Sequence, residues 1–247
     1  MSSHAPSRAP ASILQQRDPA WAREFEAILQ AYEQAGGRSN VLQAPRVASA
    51  VISGNQVLAV NQVEGVAIEA QELEHGIRAR ITVEPGTKVD YPVHLCFGMI
   101  PSEGLQEIIS EFEIGEGAEV GFLAHCTFPN AVDLKHVMDA RIHVGPGATM
   151  RYSEGHYHGT QGGIEVLPTT YTQVDEGGRL ESEFSLVHGR VGRLEIQFEV
   201  DVAARGVVEL VAKAYGSAND EIKVSEVVRL NGEGACGLTR TRAAVRD

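Results

Sequence analysis

No stretch of this sequence approaches the roughly 20 consecutive apolar residues that a helix needs to cross a bilayer. The opening segment, MSSHAPSRAPASILQQRD, contains no continuous apolar run, so a secretory signal is not expected. Cysteine is scarce: three residues, an odd number, do not make a disulfide framework and fit a reducing cytoplasm. Basic charge is outweighed, with 21 Lys and Arg against 33 Asp and Glu and a formal net charge of -12. That balance speaks against nucleic acid or an anionic membrane as a partner, since both need clustered Lys and Arg. Aromatic residues make up only 6% of the chain, whereas glycine is abundant at 26 residues. Many turns between short strands are therefore expected, within a chain of 247 residues that can bury a substantial core.

Residues 1–12 are rich in Ser, Ala and Pro and are predicted to form a disordered tail. A helical segment is expected over 13–45. Within it, DPAWAREFEAILQAYEQAGGR places Asp18 as N-cap, Pro19 at the first helical position, and Gly36 and Gly37 as stop signals. Trp21, Phe25, Ile28, Leu29 and Tyr32 share one face, as in a helix lying on the domain behind it or docking on a partner. Residues 46–247 read as an all-β core. RLEIQFEVDV, residues 193–202, alternates apolar and polar for ten residues, and no second amphipathic helix is evident.

An internal repeat decides the fold class. VEPG (83–86), IGEG (114–117), VGPG (144–147) and VDEG (174–177) each place an aliphatic residue three positions before a glycine. Gly206 and Gly234 continue the series, with successive spacings of 31, 30, 30, 29 and 28 residues. A fixed period in this range means stacked units, none able to bury its apolar face alone. Without helices between the strands, the expected architecture is a right-handed parallel β-helix of about 30 residues per coil, preceded by a short N-terminal helix.

Odd offsets after each glycine should face inward. The fifth position reads Tyr91, Phe122, Tyr152 and Ser182, and the seventh Val93, Ala124, Glu154 and Phe184. The ninth reads Leu95, Cys126, His156 and Leu186, and the eleventh Phe97, Phe128, His158 and His188. Cys126, Glu154, His156, His158 and His188 are therefore predicted to share the interior in adjacent coils. Left unpaired there, such groups cost roughly 1–3 kcal/mol each, so they should bond one another or serve a purpose. Three readings are open. Cys126 can be a small core residue beside hydrogen-bonded histidines. It can join His156, His158 and Glu154 in a zinc or iron site, the basis of a metal-dependent enzyme with cupin-like chemistry. Or it can handle sulfur, with protonated His125, His156 or His158 favouring its thiolate.

From about residue 80 onward the chain resembles the β-helix core of the SufB/SufD proteins of iron–sulfur cluster assembly. The likeness rests on Cys126-Thr127-Phe128-Pro129, similar to the Cys-Thr-Ala-Pro segment of SufB. The strand from His136 to Val144, the glycine turn after it and Arg151-Tyr152-Ser153 also match. The resemblance implies a non-catalytic scaffold that works with a SufC-like ABC ATPase and a cysteine desulfurase or other sulfur donor. It also implies a SufB/SufD-type partner, or a second copy of the chain, joined through β-helix edge strands near residues 220–245. It marks Cys126 as the sulfur acceptor, with His156 and His158 along the interior path; Glu154, His188 and His125 are the supporting polar groups. The family segment carrying cluster ligands and the ATPase-docking helix has no match here. The expectation is thus no cofactor or metal bound in this chain, and a cluster only in the assembled complex. Cys96, at an even offset, should face away from the interior, and Cys236 is read as structural.

Overall fold

A computed structural model describes residues 19–246, so the expected tail over 1–12 and the Asp18 cap lie outside the described residues. Helix α1 (Pro19–Gln34) comes first, followed by a short 3-10 turn (Ser39–Gln43). It ends as its glycines anticipate. The N–H of Gly37 bonds the carbonyl of Tyr32, the N–H of Gly36 bonds that of Glu33, and Gly36 sits at φ 91°. This is the two-bond glycine stop that satisfies the last free carbonyls.

Four short strands open the β region: β1 (Ser49–Ser53), β2 (Gln56–Asn61), β3 (Val66–Glu72) and β4 (Gly76–Val83). Two-strand coils follow. They are β5 (Val93–Gly98) with β6 (Glu103–Ile114), β7 (Glu119–Phe128) with β8 (Asp133–Val144), and β9 (Thr149–His158) with β10 (Ile164–Val174). Next come β11 (Arg179–His188) with β12 (Gly192–Val202), β13 (Val207–Ser217) with β14 (Glu221–Leu230), and β15 (Cys236–Arg246). Odd strands from β5 stack in one sheet and even strands from β4 in the other, with parallel pairing throughout the coils. The result is a β-solenoid of about 6 turns at ~30 residues per coil. Its core lies between the two sheets, lined by alternate residues such as Ile114, Val144, Val174 and Val202, all at or near zero exposure.

The corners stack as the repeat predicts. Gly86, Gly117, Gly147 and Gly177 all have φ between 63° and 71°, a region closed to most side chains. Each donates its N–H to the next corner, as from Gly117 to the Pro146 carbonyl and from Gly147 to that of Glu176. Gly206 does not continue this column. Arg205 holds the left-handed position instead, at φ 57°, and its N–H bonds the Glu233 carbonyl beside Gly234.

Two column assignments need correction. In the first coil, Val93 pairs with Phe122, Leu95 with Ala124 and Phe97 with Cys126, a shift of two residues from the expected register. Lys88 still bridges Glu119, so the two extra residues are looped out around Tyr91 and Pro92. Proline lacks the N–H that a ladder needs, and Tyr91 is 52% exposed. At the other end of the column, the β11–β9 pairing slips between Leu186 and His188, which lies opposite Tyr157 rather than His158. One inserted residue flips the alternation, so His188 is on the surface and not in the interior.

Helix α1 roofs the outer face of the first sheet. Phe25, Ile28, Leu29 and Tyr32 pack with Leu42, Val51, Leu58 and Cys96 in a second, smaller core. Cys96 thus faces away from the interior, as its offset predicts, yet is fully buried. Among the described residues no helix is long and apolar enough to cross a membrane.

Candidate functional site

Strand β9 carries the polar interior. Glu154, His156 and His158 alternate along it with outward-facing residues, so the pleat sends all three inward. Parallel pairing sets Ala124 beside Glu154, Cys126 beside His156 and Phe128 beside His158 on the β7 side. Phe184 and Leu186 cover Glu154 and His156 on the β11 side. The polar group is therefore enclosed by apolar neighbours in both adjacent coils, and Cys126, Glu154, His156 and His158 are each at most 7% exposed.

A hydrogen-bonded string runs along the strand. The Tyr152 hydroxyl donates to Glu154 Oε2 at 3.0 Å, and Glu154 Oε1 lies 2.7 Å from His156 Nε2. His156 Nδ1 is 3.3 Å from His158 Nε2. Ligand atoms of Cys126, Glu154 and His156 fall within 4.8 Å of one another, a set that leaves His158 outside. A narrow internal cavity of about 50 Å³ touches this string at Tyr152 and Glu154 and reaches as far as Glu226.

Burial governs the protonation states. It pushes the Cys126 thiol well above its ordinary range, with the charges of Glu154 and Cys96 adding to the effect. It drives His158 well below the usual histidine value, helped by neighbouring His156. The surroundings act against the thiolate, contrary to the expectation that protonated histidines favour it, because burial disfavours the charged form of the thiol and of His158 alike. Tyr152 is raised well above the tyrosine value by burial and by Glu154.

His125 is not an interior residue. It follows Ala124 and precedes Cys126, so the pleat turns it outward, beneath α1. Its ring meets the Tyr32 ring edge-on with centroids 4.6 Å apart, and burial lowers its pKa to about 4. The Tyr32 hydroxyl also lies 3.0 Å from Nδ1 of His94, on the same outer face. Cys236, at the start of β15, is exposed.

One interior histidine escaped the sequence reading. His136 on β8 is fully buried, with its ring 4.7 Å from Phe128 and 6.0 Å from His156. Neither ring nitrogen has a hydrogen-bond partner. The signal was in the alternation: His136 is in phase with Leu134, Met138, Ile142 and Val144, all buried.

Models of known protein families find no match in this chain. Individual proteins do match. Over 204 residues the chain is 36% identical to an iron–sulfur cluster assembly SufBD family protein of Methanocaldococcus jannaschii, covering 82% of the chain and 63% of that protein. A protein of the same description from Pyrococcus horikoshii is 32% identical over 210 residues, covering 85% of the chain and 64% of that protein. The chain thus spans slightly under two thirds of the length of the curated relatives it matches.

Proposed function

The chain belongs to the SufBD family of iron–sulfur cluster assembly proteins, and from that premise we propose that it is a non-catalytic scaffold that takes sulfur onto Cys126. The observation carrying this reading is the placement of Cys126 beside the Glu154–His156–His158 string, with buried His136 close by, in a core built mainly of aliphatic and aromatic side chains. A cysteine serving only as core filler does not call for three polar neighbours, whose burial costs roughly 1–3 kcal/mol each when unpaired.

The step is a thiol–persulfide exchange. The Cys126 sulfur attacks the terminal sulfur of a donor persulfide, R–S–SH; the donor S–S bond breaks and a new one forms at Cys126. The transferred sulfur keeps its hydrogen, and the donor leaves as R–S⁻ and takes up the proton that Cys126 gives up, to end as R–SH. Only the thiolate attacks readily, and the closed lumen disfavours it. Glu154 or His156, within 4.8 Å, is placed to receive that proton. Since Cys126 has no exposed surface, loading also requires an opening of the wall or a path along the interior.

The partners that fit this role are a SufC-like ATPase, a cysteine desulfurase or other sulfur donor, and a SufB/SufD-type protein or second copy joined through edge strands near 220–245. The setting is the cytoplasm, with the cluster forming only in the assembled complex. The test is incubation with a cysteine desulfurase and free cysteine, followed by mapping of persulfide by mass spectrometry. Sulfur is expected on Cys126, and replacing His156 and His158 with Ala should slow loading several-fold. Persulfide confined to exposed Cys236 removes Cys126 from this role.

A further inference from the structure

Cys126, Glu154 and His156 come from two adjacent, fully paired strands, so their positions are held by the ladder and not by a loop. We propose that these side chains form a binding site for a divalent first-row cation of the zinc or ferrous class. Cys126 Sγ, a Glu154 carboxylate oxygen and His156 Nε2 supply three ligands.

The spacing suits such an ion. Donors bound at about 2.0–2.3 Å to a four-coordinate metal lie roughly 3.3–3.8 Å from each other. A set already within 4.8 Å reaches that geometry by small side-chain adjustments. The chemistry of the donors selects the ion. Calcium and magnesium take oxygen ligands, whereas thiolate, imidazole and carboxylate together suit zinc or ferrous iron.

A doubly positive ion would supply the counter-charge that lets a thiolate and a carboxylate be buried together. His158 orients the imidazole: with His156 Nε2 on the ion, the proton moves to Nδ1, which donates to His158 Nε2 across the observed 3.3 Å. The cavity of about 50 Å³ that touches Tyr152 and Glu154 has room for a small exchangeable ligand such as water beside the carboxylate.

This site goes beyond the sulfur-accepting role, although both use the same sulfur atom: a bound cation withholds Cys126 from sulfur. The test titrates the metal-free chain with Co²⁺ under anaerobic conditions, since cobalt bound to thiolate shows a charge-transfer band. One equivalent should bind and give that band. Cys126→Ser should abolish it, and Glu154→Gln and His156→Gln should each weaken binding at least about tenfold. Cys96→Ser and Cys236→Ser should leave it intact. Excess Zn²⁺ should displace the cobalt and bleach the band, and failure of Zn²⁺ to displace it overturns the site. So does an absent band, or one that survives Cys126→Ser. Should that variant fail to fold, unweakened binding in His156→Gln overturns the site on its own. Persulfide on Cys126 without a cobalt band rejects this site alone, and a band without persulfide rejects the sulfur reading alone.

Discussion

Arg205 stands at φ 57° in a column of corners otherwise held by glycine, and the two residue types respond differently to that backbone. A side chain in the left-handed region costs roughly 1–2 kcal/mol. At Arg205 an exposed ion pair with Glu176 offsets part of this, by about 0–1 kcal/mol. Arg205→Gly relieves the strain but loses the pair and frees the unfolded chain, so stability should stay within about 0.5 kcal/mol of the parent. Gly177 faces open space, so Gly177→Arg meets no steric clash and pays only the backbone cost, about 1–2 kcal/mol. Thermal unfolding of both variants checks the pair. A neutral Gly177→Arg would contradict the corner argument.

Among the elements, α1 has the most separable role. It contributes nothing to the lumen, yet it seals Cys96 and roofs His125 on the outer face of β5 and β7. Burial raises the Cys96 thiol to about 12, so it is inert while the helix is in place. Ile28 has no exposed surface and anchors the contact. Ile28→Asp buries a charge there and should detach α1, making Cys96 reactive towards a thiol reagent. Cys126, on the opposite face of the same sheet, should stay protected. Equal labelling of Cys96 and Cys126 would mean that the solenoid itself depends on α1. The helix and its apolar face were legible because a 3.6-residue period and a double-glycine stop are local signals. Which sheet face it covers was not, since that depends on contacts distant in sequence.

At the scale of the molecule, stability is built from contacts between neighbouring coils. Its clearest charged link is His143, whose Nδ1 lies 2.5 Å from Glu113 and whose Nε2 lies 2.8 Å from Asp175, joining three successive coils. Burial opposes the charged ring, but the bonds to Asp175 and Glu113 outweigh it, and the His143 pKa is raised from 6.5. A raised folded pKa stabilises fully below 6.5 and loses its effect as pH climbs through the folded value. Asp175 also feels burial first, but its bonds to Gln173 and His143 lower it from 3.8, so its share is lost only as pH falls below that range. His143→Gln should therefore cost about 0.5–1 kcal/mol near pH 6, after allowance for solvent screening, and much less at pH 9. Unfolding temperatures of parent and variant at the two pH values test this. A penalty that grows with pH would have the wrong sign.

The glycine period and the two-residue alternation by themselves determined the solenoid, its stacked corners and the inward course of Cys126, Glu154, His156 and His158. Those signals survive in one dimension because every coil repeats the same backbone requirement. Three matters were decided only by the tertiary structure. A loop around Pro92 moved the first coil by two residues, and a bulge after Leu186 sent His188 to the surface. Both are single-site interruptions that no period encodes. The third is the burial of the lumen, which sets the Cys126 thiol and His158 against charge and is a property of all the coils that surround them.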